Sequence, residues 1–309
     1  MHIQTLSHKA AIQPFRALAT DDRTGTLAII TGVEGPSYRP VGAAMAIFDD
    51  EEFIGTLSSG CVESDIAVHA HSAQEKHQPI AIRYGKNSPF GDIQLPCGGG
   101  LDILLIPHPD RTVLNEMIAN HDARQPTTLK IDAKTGALSL GASDATGWEN
   151  STFNVAMAPE LQFLVFGKGP EAATFAALAH AAGFPCWLYA PDDETLATAQ
   201  SIGCPSDHLT RPLLPNPEIV DDRTAIVLFF HDHDWEPPIL QAALETPAFY
   251  IGAQGSHRSR MNRDHELMLL GLNASQIERL RGPIGLVPSA RDARTLAVSV
   301  LAEILAEAL

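Results

Sequence analysis

The 309-residue sequence predicts an α/β protein of two domains. An N-terminal mixed α/β domain is expected over 1–145, and a C-terminal Rossmann-like domain with a doubly wound parallel sheet over 160–309. Three observations carry this reading. The length exceeds what one hydrophobic core usually serves, and a hydrophobic content of 45% is enough for two cores. The second half alternates apolar strands with helical segments, the rhythm of a parallel sheet with crossover helices. Its first strand, 161–166, runs into the G-x-G-x-x-A turn Gly167-Lys168-Gly169-Pro170-Glu171-Ala172. There the first glycine permits a tight bend, the second lets backbone approach a phosphate, and the small Ala172 lets the helix pack on the strand.

The chain opens with helical patterning over 14–19, and Asp21, Asp22 and Gly25 then lead into an apolar strand, 26–31. Strands over 43–48 and 53–57 flank the acidic turn Asp49-Asp50-Glu51-Glu52 and read as a hairpin. Ser58-Ser59-Gly60 breaks the pattern, and a helix is expected from Cys61 to about His77. Two strands follow, 81–84 and 101–106, the second preceded by Pro96-Cys97-Gly98-Gly99-Gly100. After helical patterning over 112–122 come strands over 127–132 and 137–140, joined at Lys134-Thr135-Gly136. The stretch 141–159, rich in Ser, Thr, Asn and Gly, reads as the interdomain linker. In the second domain a helix over 171–182 follows the glycine turn, and a strand over 185–189 closes on Ala190-Pro191-Asp192-Asp193. Asp192 or Asp193 stands where the ribose-binding acid of a dinucleotide site is found. Further strands are expected over 225–230 and 249–251, and an amphipathic helix over 295–309.

A net charge of -16 disfavours nucleic acid or an anionic membrane as partner, since both would repel the chain. No apolar run reaches the roughly 20 residues that span a bilayer, and Met1-His2-Ile3-Gln4 lacks the basic-then-apolar order of a signal peptide. A cytoplasmic protein is expected. The four cysteines contain no C-x-x-C pair and read as free thiols, with Cys186 and Cys204 as core residues. Cys61, at the expected start of a helix, sits where a thiolate is favoured. Cys97 precedes Gly98 and Gly99, whose N–H groups could form an anion nest. Two thiols in glycine turns of one domain suggest a site for a metal or sulfur, with Cys61 and Cys97 as metal ligands. The competing use is as small buried hydrophobes.

Upstream lies the rigid polar loop Gly35-Pro36-Ser37-Tyr38-Arg39-Pro40-Val41-Gly42. Its Arg39 either points at an anionic ligand or sits on a surface turn. The strand 225–230 ends in His231-Asp232-His233-Asp234, and ligands of open α/β sheets bind beyond the carboxyl ends of strands. A continuing strand would set His231 and His233 on one side, fit for a metal or polar ligand. The next strand leads through Gly255-Ser256 to Arg258, Arg260 and Arg263, either an anion pocket or ion pairs with Asp264 and Glu266. These residues also admit an oxidoreductase in which Gly167, Gly169, Ala172 and Asp192 hold NAD(P) or another nucleotide while His231 or His233 moves protons.

Taken in order, several blocks resemble the XdhC/CoxI family, accessory proteins of molybdenum-cofactor hydroxylases, over nearly the whole chain. They are the 35–42 loop, Gly60-Cys61-Val62-Glu63, Cys97-Gly98-Gly99, the glycine turn, His231-Asp232-His233, Tyr250-Ile251-Gly252, Gly255-Ser256, Pro283-Ile284-Gly285-Leu286 and Ala297-Val298-Ser299. The chain departs from the family pattern at Pro170, where histidine is frequent, at Gly282, where cysteine is common, and at Ile106, where an acid stands. Val287-Pro288-Ser289 also lacks the usual Ile-Gly. The resemblance implies a non-catalytic chaperone that binds the molybdenum cofactor, molybdopterin. Such a protein shelters the cofactor during sulfuration by a cysteine desulfurase and delivers it to an apo molybdenum hydroxylase of the xanthine dehydrogenase type; a homodimer is compatible with this. The candidate cofactor-binding set is Cys61, Cys97, Arg39, Gly98, Gly99, Gly167, Gly169, Ala172, Asp192, His231, His233, Gly255, Ser256 and Arg258, the resemblance mapping the family cysteines to Cys61 and Cys97, with no catalytic residue. Xanthine oxidation by the chain itself is disfavoured, because the cysteine-rich iron–sulfur pattern is missing.

Overall fold

The computed structural model describes residues 11–50, 52–88, 95, 98–143, 145–231 and 233–308. The chain divides into two compact units, one holding Lys9–Pro159 and the other Glu160–Leu309.

In the first unit, helix α1 (Gln13–Thr20) carries Pro14 in its first turn, where a missing N–H costs nothing, and buries Phe15 and Leu18. Five antiparallel strands follow: β1 (Gly25–Glu34), β2 (Ala44–Phe48), β3 (Phe53–Gly55), β4 (Ile80–Gly85) and β5 (Gly100–Pro107), in the order β3-β2-β1-β5-β4. Central β1 is buried on both faces. Ala28 and Ile30 meet Ile66, Ala70 and Ala73 of α2 (Glu63–Lys76), which recur at helical spacing. Leu27 and Ile29 face α1, α3 (Arg111–Asp122) and a second antiparallel sheet. That sheet has the order β7-β6-β9-β8, with β6 (Thr127–Asp132), β7 (Leu138–Gly141), β8 (Gly147–Glu149) and β9 (Thr152–Met157).

The stretch 141–159 is therefore no linker. It holds the β8–β9 hairpin, in which Asn150 takes the left-handed conformation (φ 56°) that asparagine tolerates in tight turns. Phe153 and Val155 alternate into the core. The polar composition belongs to the turn and its exposed edge, so the first unit runs on to Pro159 instead of closing near 145.

The second unit is a doubly wound α/β domain. Its six parallel strands are β10 (Gln162–Gly167), β11 (Cys186–Ala190), β12 (Ser206–His208), β13 (Thr224–Phe229), β14 (Tyr250–Ala253) and β15 (Leu280–Arg281), in the order β12-β11-β10-β13-β14-β15. Phe163 and Val165 face α4 (Pro170–Ala181), α5 (Asp193–Ser201) and α9 (Ala293–Ala308), while Leu164 and Phe166 face the side of α6 (Glu236–Leu244), α7 (His257–Leu269) and α8 (Ala274–Glu278). Winding reverses between β10 and β13, the switch point beyond which ligands of such sheets bind. At the end of β10, a Cβ on Gly167 would lie 2.6 Å from the Phe229 carbonyl oxygen and 2.8 Å from the Ala172 Cβ, so the turn closes only with glycine there.

Candidate functional site

The antiparallel register of the first unit gathers its loops. β1 ends at Glu34 opposite Gly100, the first residue of β5, and β4 ends at Gly85 opposite the same Gly100. β3 ends at Gly55 opposite Met45, next to the start of β2. The connections 35–43, 56–62 and the one closing on Gly98 and Gly99 consequently share one end of the sheet. Two of them are pressed together: a Cβ on Gly99 would lie 2.2 Å from the Pro36 carbonyl oxygen, and Gly35 abuts the Gly99 backbone. In the same loop Arg39 is half-buried, its Nε enclosed without a hydrogen-bond partner among the described residues. At the ends of β1, β4 and β5, Arg83 joins Glu34 (2.5 Å) to Asp102 (2.8 Å), and Lys86 adds a second cation to Glu34 (2.6 Å).

Gly98 is left-handed (φ 69°), but its N–H donates to the Leu95 carbonyl (2.8 Å), so the expected anion nest is already partly used within the loop. Cys97 lies outside the described residues.

Cys61 is exposed and precedes the helix instead of starting it, because α2 begins at Glu63. The anion that settles into this loop belongs to Glu63. Its Oε1 accepts from the Thr56 hydroxyl (2.5 Å) and the N–H groups of Leu57 (3.1 Å) and Ser58 (2.8 Å). Its Oε2 accepts from the Ser58 hydroxyl (2.5 Å) and the N–H groups of Gly60 (2.9 Å) and Val62 (3.2 Å). Ser58 Oγ in turn accepts from the Cys61 N–H (2.9 Å). Burial alone would raise the Glu63 carboxyl, but the Ser58 and Thr56 hydroxyls and the loop amides hold it at about 2. Cys61 thus rides on a loop fixed from beneath by an ionised carboxylate. The Gly60-Cys61-Val62-Glu63 block contains this residue, yet nothing in linear spacing reveals that Glu63 turns back on the loop.

In the second unit the glycine turn closes on its own chain. Lys168 N–H donates to the Phe229 carbonyl (3.2 Å), Gly169 N–H to Thr195 Oγ1 (2.8 Å), and Pro170 has no N–H to offer. Asp192 Oδ1 accepts from the N–H and hydroxyl of Thr195 (both 2.9 Å) and caps α5. Glu171 Oε2 lies 3.4 Å from His231 Nε2 and 3.8 Å from where a Gly169 side chain would start. A carboxylate beside the turn, with two amides already spent, opposes a phosphate there.

Beyond β13 the chain bends into a 3-10 turn at His233–Trp235, so His231 and His233 are not set on one side by strand alternation. Asp232 lies outside the described residues. Ser256 caps α7 by accepting from the Ser259 N–H (3.1 Å), directly after Gly255 (φ 141°), and Arg258 is exposed on the first turn of that helix. Arg260 pairs with Asp264 (2.9 Å) and the Gly282 carbonyl (3.0 Å). Buried Arg263 pairs with Glu236 (2.9 Å) of α6, not with Glu266, and with the Gln254 carbonyl (2.9 Å). The three arginines therefore form no common anion pocket. Among the described residues, no three His, Cys, Asp or Glu side chains gather as metal ligands.

The last blocks fasten to one another. Tyr250 donates to Glu303 (2.7 Å), Glu303 also accepts from the Gly285 N–H, and Ser299 Oγ accepts from the Val287 N–H (2.6 Å). A Cβ on Gly285 would strike Ser299 Oγ at 2.7 Å. These residues weld the 283–287 segment to α9 and β14.

The first unit matches the XdhC and CoxI family over residues 18–85, and the second matches the XdhC Rossmann domain over residues 163–304. Over 94% of its length the chain is 33% identical to the molybdenum cofactor insertion chaperone PaoD of Escherichia coli, of which it covers 91%. It is 25% identical to a probable xanthine dehydrogenase subunit of Bacillus subtilis, with 94% of each chain covered. Its backbone is similar to the crystal structure of a xanthine dehydrogenase of Bacillus halodurans, with a TM-score of 0.73 at 21% identity, covering 96% of this chain and 95% of that one. That last likeness concerns the fold alone. With both units matched and a relative of this identity along almost all of its length, the chain belongs to the XdhC and CoxI family.

Proposed function

We propose that this protein carries the molybdenum cofactor as cargo at the loop end of its first unit and releases it to an apo molybdenum hydroxylase of the xanthine dehydrogenase type. The observation that carries the reading is the convergence of exposed Cys61, fixed from beneath by Glu63, with the Arg39 loop and the Gly98-Gly99 backbone at one end of one sheet. A soft thiolate suits a molybdenum centre or its sulfur, and Cys97, beside Gly98 in the sequence, would supply a second. Arg39, with an unpartnered Nε, would meet the phosphate of the pterin, which an otherwise acidic chain would repel. The relative named as an insertion chaperone supports the same role.

The second unit contributes a rigid scaffold whose glycine turn is closed by Thr195, Asp192 and Glu171. Its Gly255-Ser256 turn, His231 and Arg258 stand at the carboxyl edge of the sheet, where a client or the sulfur donor would be received. Sulfuration of the metal during residence, with sulfur from a cysteine desulfurase, and a cytoplasmic, homodimeric carrier complete the proposal. Purified protein mixed with free molybdopterin and desalted should retain pterin. Loss of retention in Cys61→Ala and Arg39→Ala, with folding intact, supports the assignment, and no retention by the unsubstituted chain ends it.

A further inference from the structure

β11 opens at Cys186, and β12 pairs with it in the register Leu188↔Ser206, Tyr189↔Asp207, Ala190↔His208. Carried back two residues, this register sets Cys204 beside Cys186, and the Leu188 N–H already donates to the Pro205 carbonyl (2.9 Å) there. Adjacent strands lie about 4.8 Å apart, within the Cα separation of about 4.4–6.8 Å that a disulfide spans. Both side chains enter the same face of the sheet, packed with Phe163, Phe184 and Ala199 and only 6% and 2% exposed. The Cys204 thiol also reaches the Cys186 carbonyl at 3.8 Å. The Cys204 sulfur beside it, together with burial, pushes the Cys186 thiol up and leaves Cys204 the easier of the pair to ionise.

We infer that Cys186 and Cys204 form a cross-strand dithiol that closes to a disulfide when the protein meets a hydroperoxide. The Cys204 thiolate attacks the peroxide, the O–O bond breaks, and the departing oxygen takes a proton to leave as alcohol or water. The Cys186 sulfur then attacks the resulting sulfenic acid. The S–S bond forms as the S–O bond breaks, and the leaving hydroxide takes up the Cys186 proton as water. In sum, two thiols are oxidised and one hydroperoxide is reduced. Access follows from position, since β12 is a three-residue strand at the edge of the sheet and opens more readily than the strands inside it. Between the two cysteines runs α5, whose Thr195 holds the Gly169 N–H, so closure fastens both ends of the segment that closes the glycine turn.

The test is peptide mapping of the full chain after treatment with hydrogen peroxide, without reduction. The expected result is one linked pair of peptides holding Cys186 and Cys204, two hydrogens lighter than their sum and separated by dithiothreitol. The urea midpoint should rise on oxidation, and Cys204→Ser should abolish both effects. Recovery of both residues as thiols or as sulfinic acids, or their linkage to Cys61 or Cys97 instead, overturns the inference. Mapping on the unsubstituted chain decides the linkage even if Cys204→Ser does not fold.

Discussion

Glu63 accepts six hydrogen bonds, all from donors of the 56–62 segment, and only an ionised carboxylate satisfies that set without conflict. Its folded value of about 2 lies below the ordinary 4.5, so the stability it adds is fully present above the unfolded value and is lost as pH falls from 4.5 toward 2. That difference corresponds to about 3 kcal/mol at neutral pH. Glu63→Gln, which points an amide at donors, is expected to cost about 2–4 kcal/mol in urea unfolding at pH 7 and to flatten the acid limb. Equal stability of variant and parent at both pH 7 and pH 3 would show that the carboxylate does not hold the loop. The neighbouring glycines separate two kinds of constraint. Gly98→Ala meets no neighbour among the described residues and bears the left-handed backbone, worth about 1 kcal/mol. Gly99→Ala drives a methyl into the Pro36 carbonyl and should lower thermal stability well beyond that. A reversed order of midpoints would contradict the packing of the two loops.

At the scale of elements, apolar periodicity made the long strands and the β10–α4 unit legible, because buried strands and their turn chemistry are local properties. The β8–β9 hairpin was hidden because a turn and an exposed edge share the composition of a linker. The start of α2 lay two residues beyond Cys61 since its first anion is Glu63, a return contact that spacing cannot express. Arg263 likewise finds Glu236, 27 residues upstream, only once α6 and α7 pack together. The Tyr250 block and the Pro-Ile-Gly-Leu block stand in the sequence only as parts of the family resemblance, and in the fold they brace one another through Glu303 and Ser299. Tyr250→Phe, which leaves Glu303 to the Gly285 N–H alone, should destabilise the second unit by about 1–2 kcal/mol in chemical denaturation. No change would mean the hydroxyl contact carries no weight.

For the whole molecule, both domain folds could be read from the sequence, but the division of labour between the units could not. The glycine turn of the second unit resembles a nucleotide site in one dimension, and in three Thr195, held by Asp192, takes its Gly169 amide while the Glu171 carboxylate stands beside it. Titration with NAD(H) or NADP(H) should accordingly give no saturable binding, and a stoichiometric isotherm would restore the nucleotide reading. The proposed site for the cargo is instead in the first unit, where Arg39, Cys61 and the Gly98-Gly99 backbone share one end of a sheet. The most direct measurement is equilibrium binding of isolated molybdopterin to the full chain and to its Cys61→Ala, Cys97→Ala double variant, with unfolding midpoints measured in parallel. Saturable binding by the parent, weakened about tenfold or more in a variant of unchanged stability, is expected if the thiols contribute at least about 1.4 kcal/mol. Binding of equal strength in both proteins, or none in the parent, would contradict the assignment.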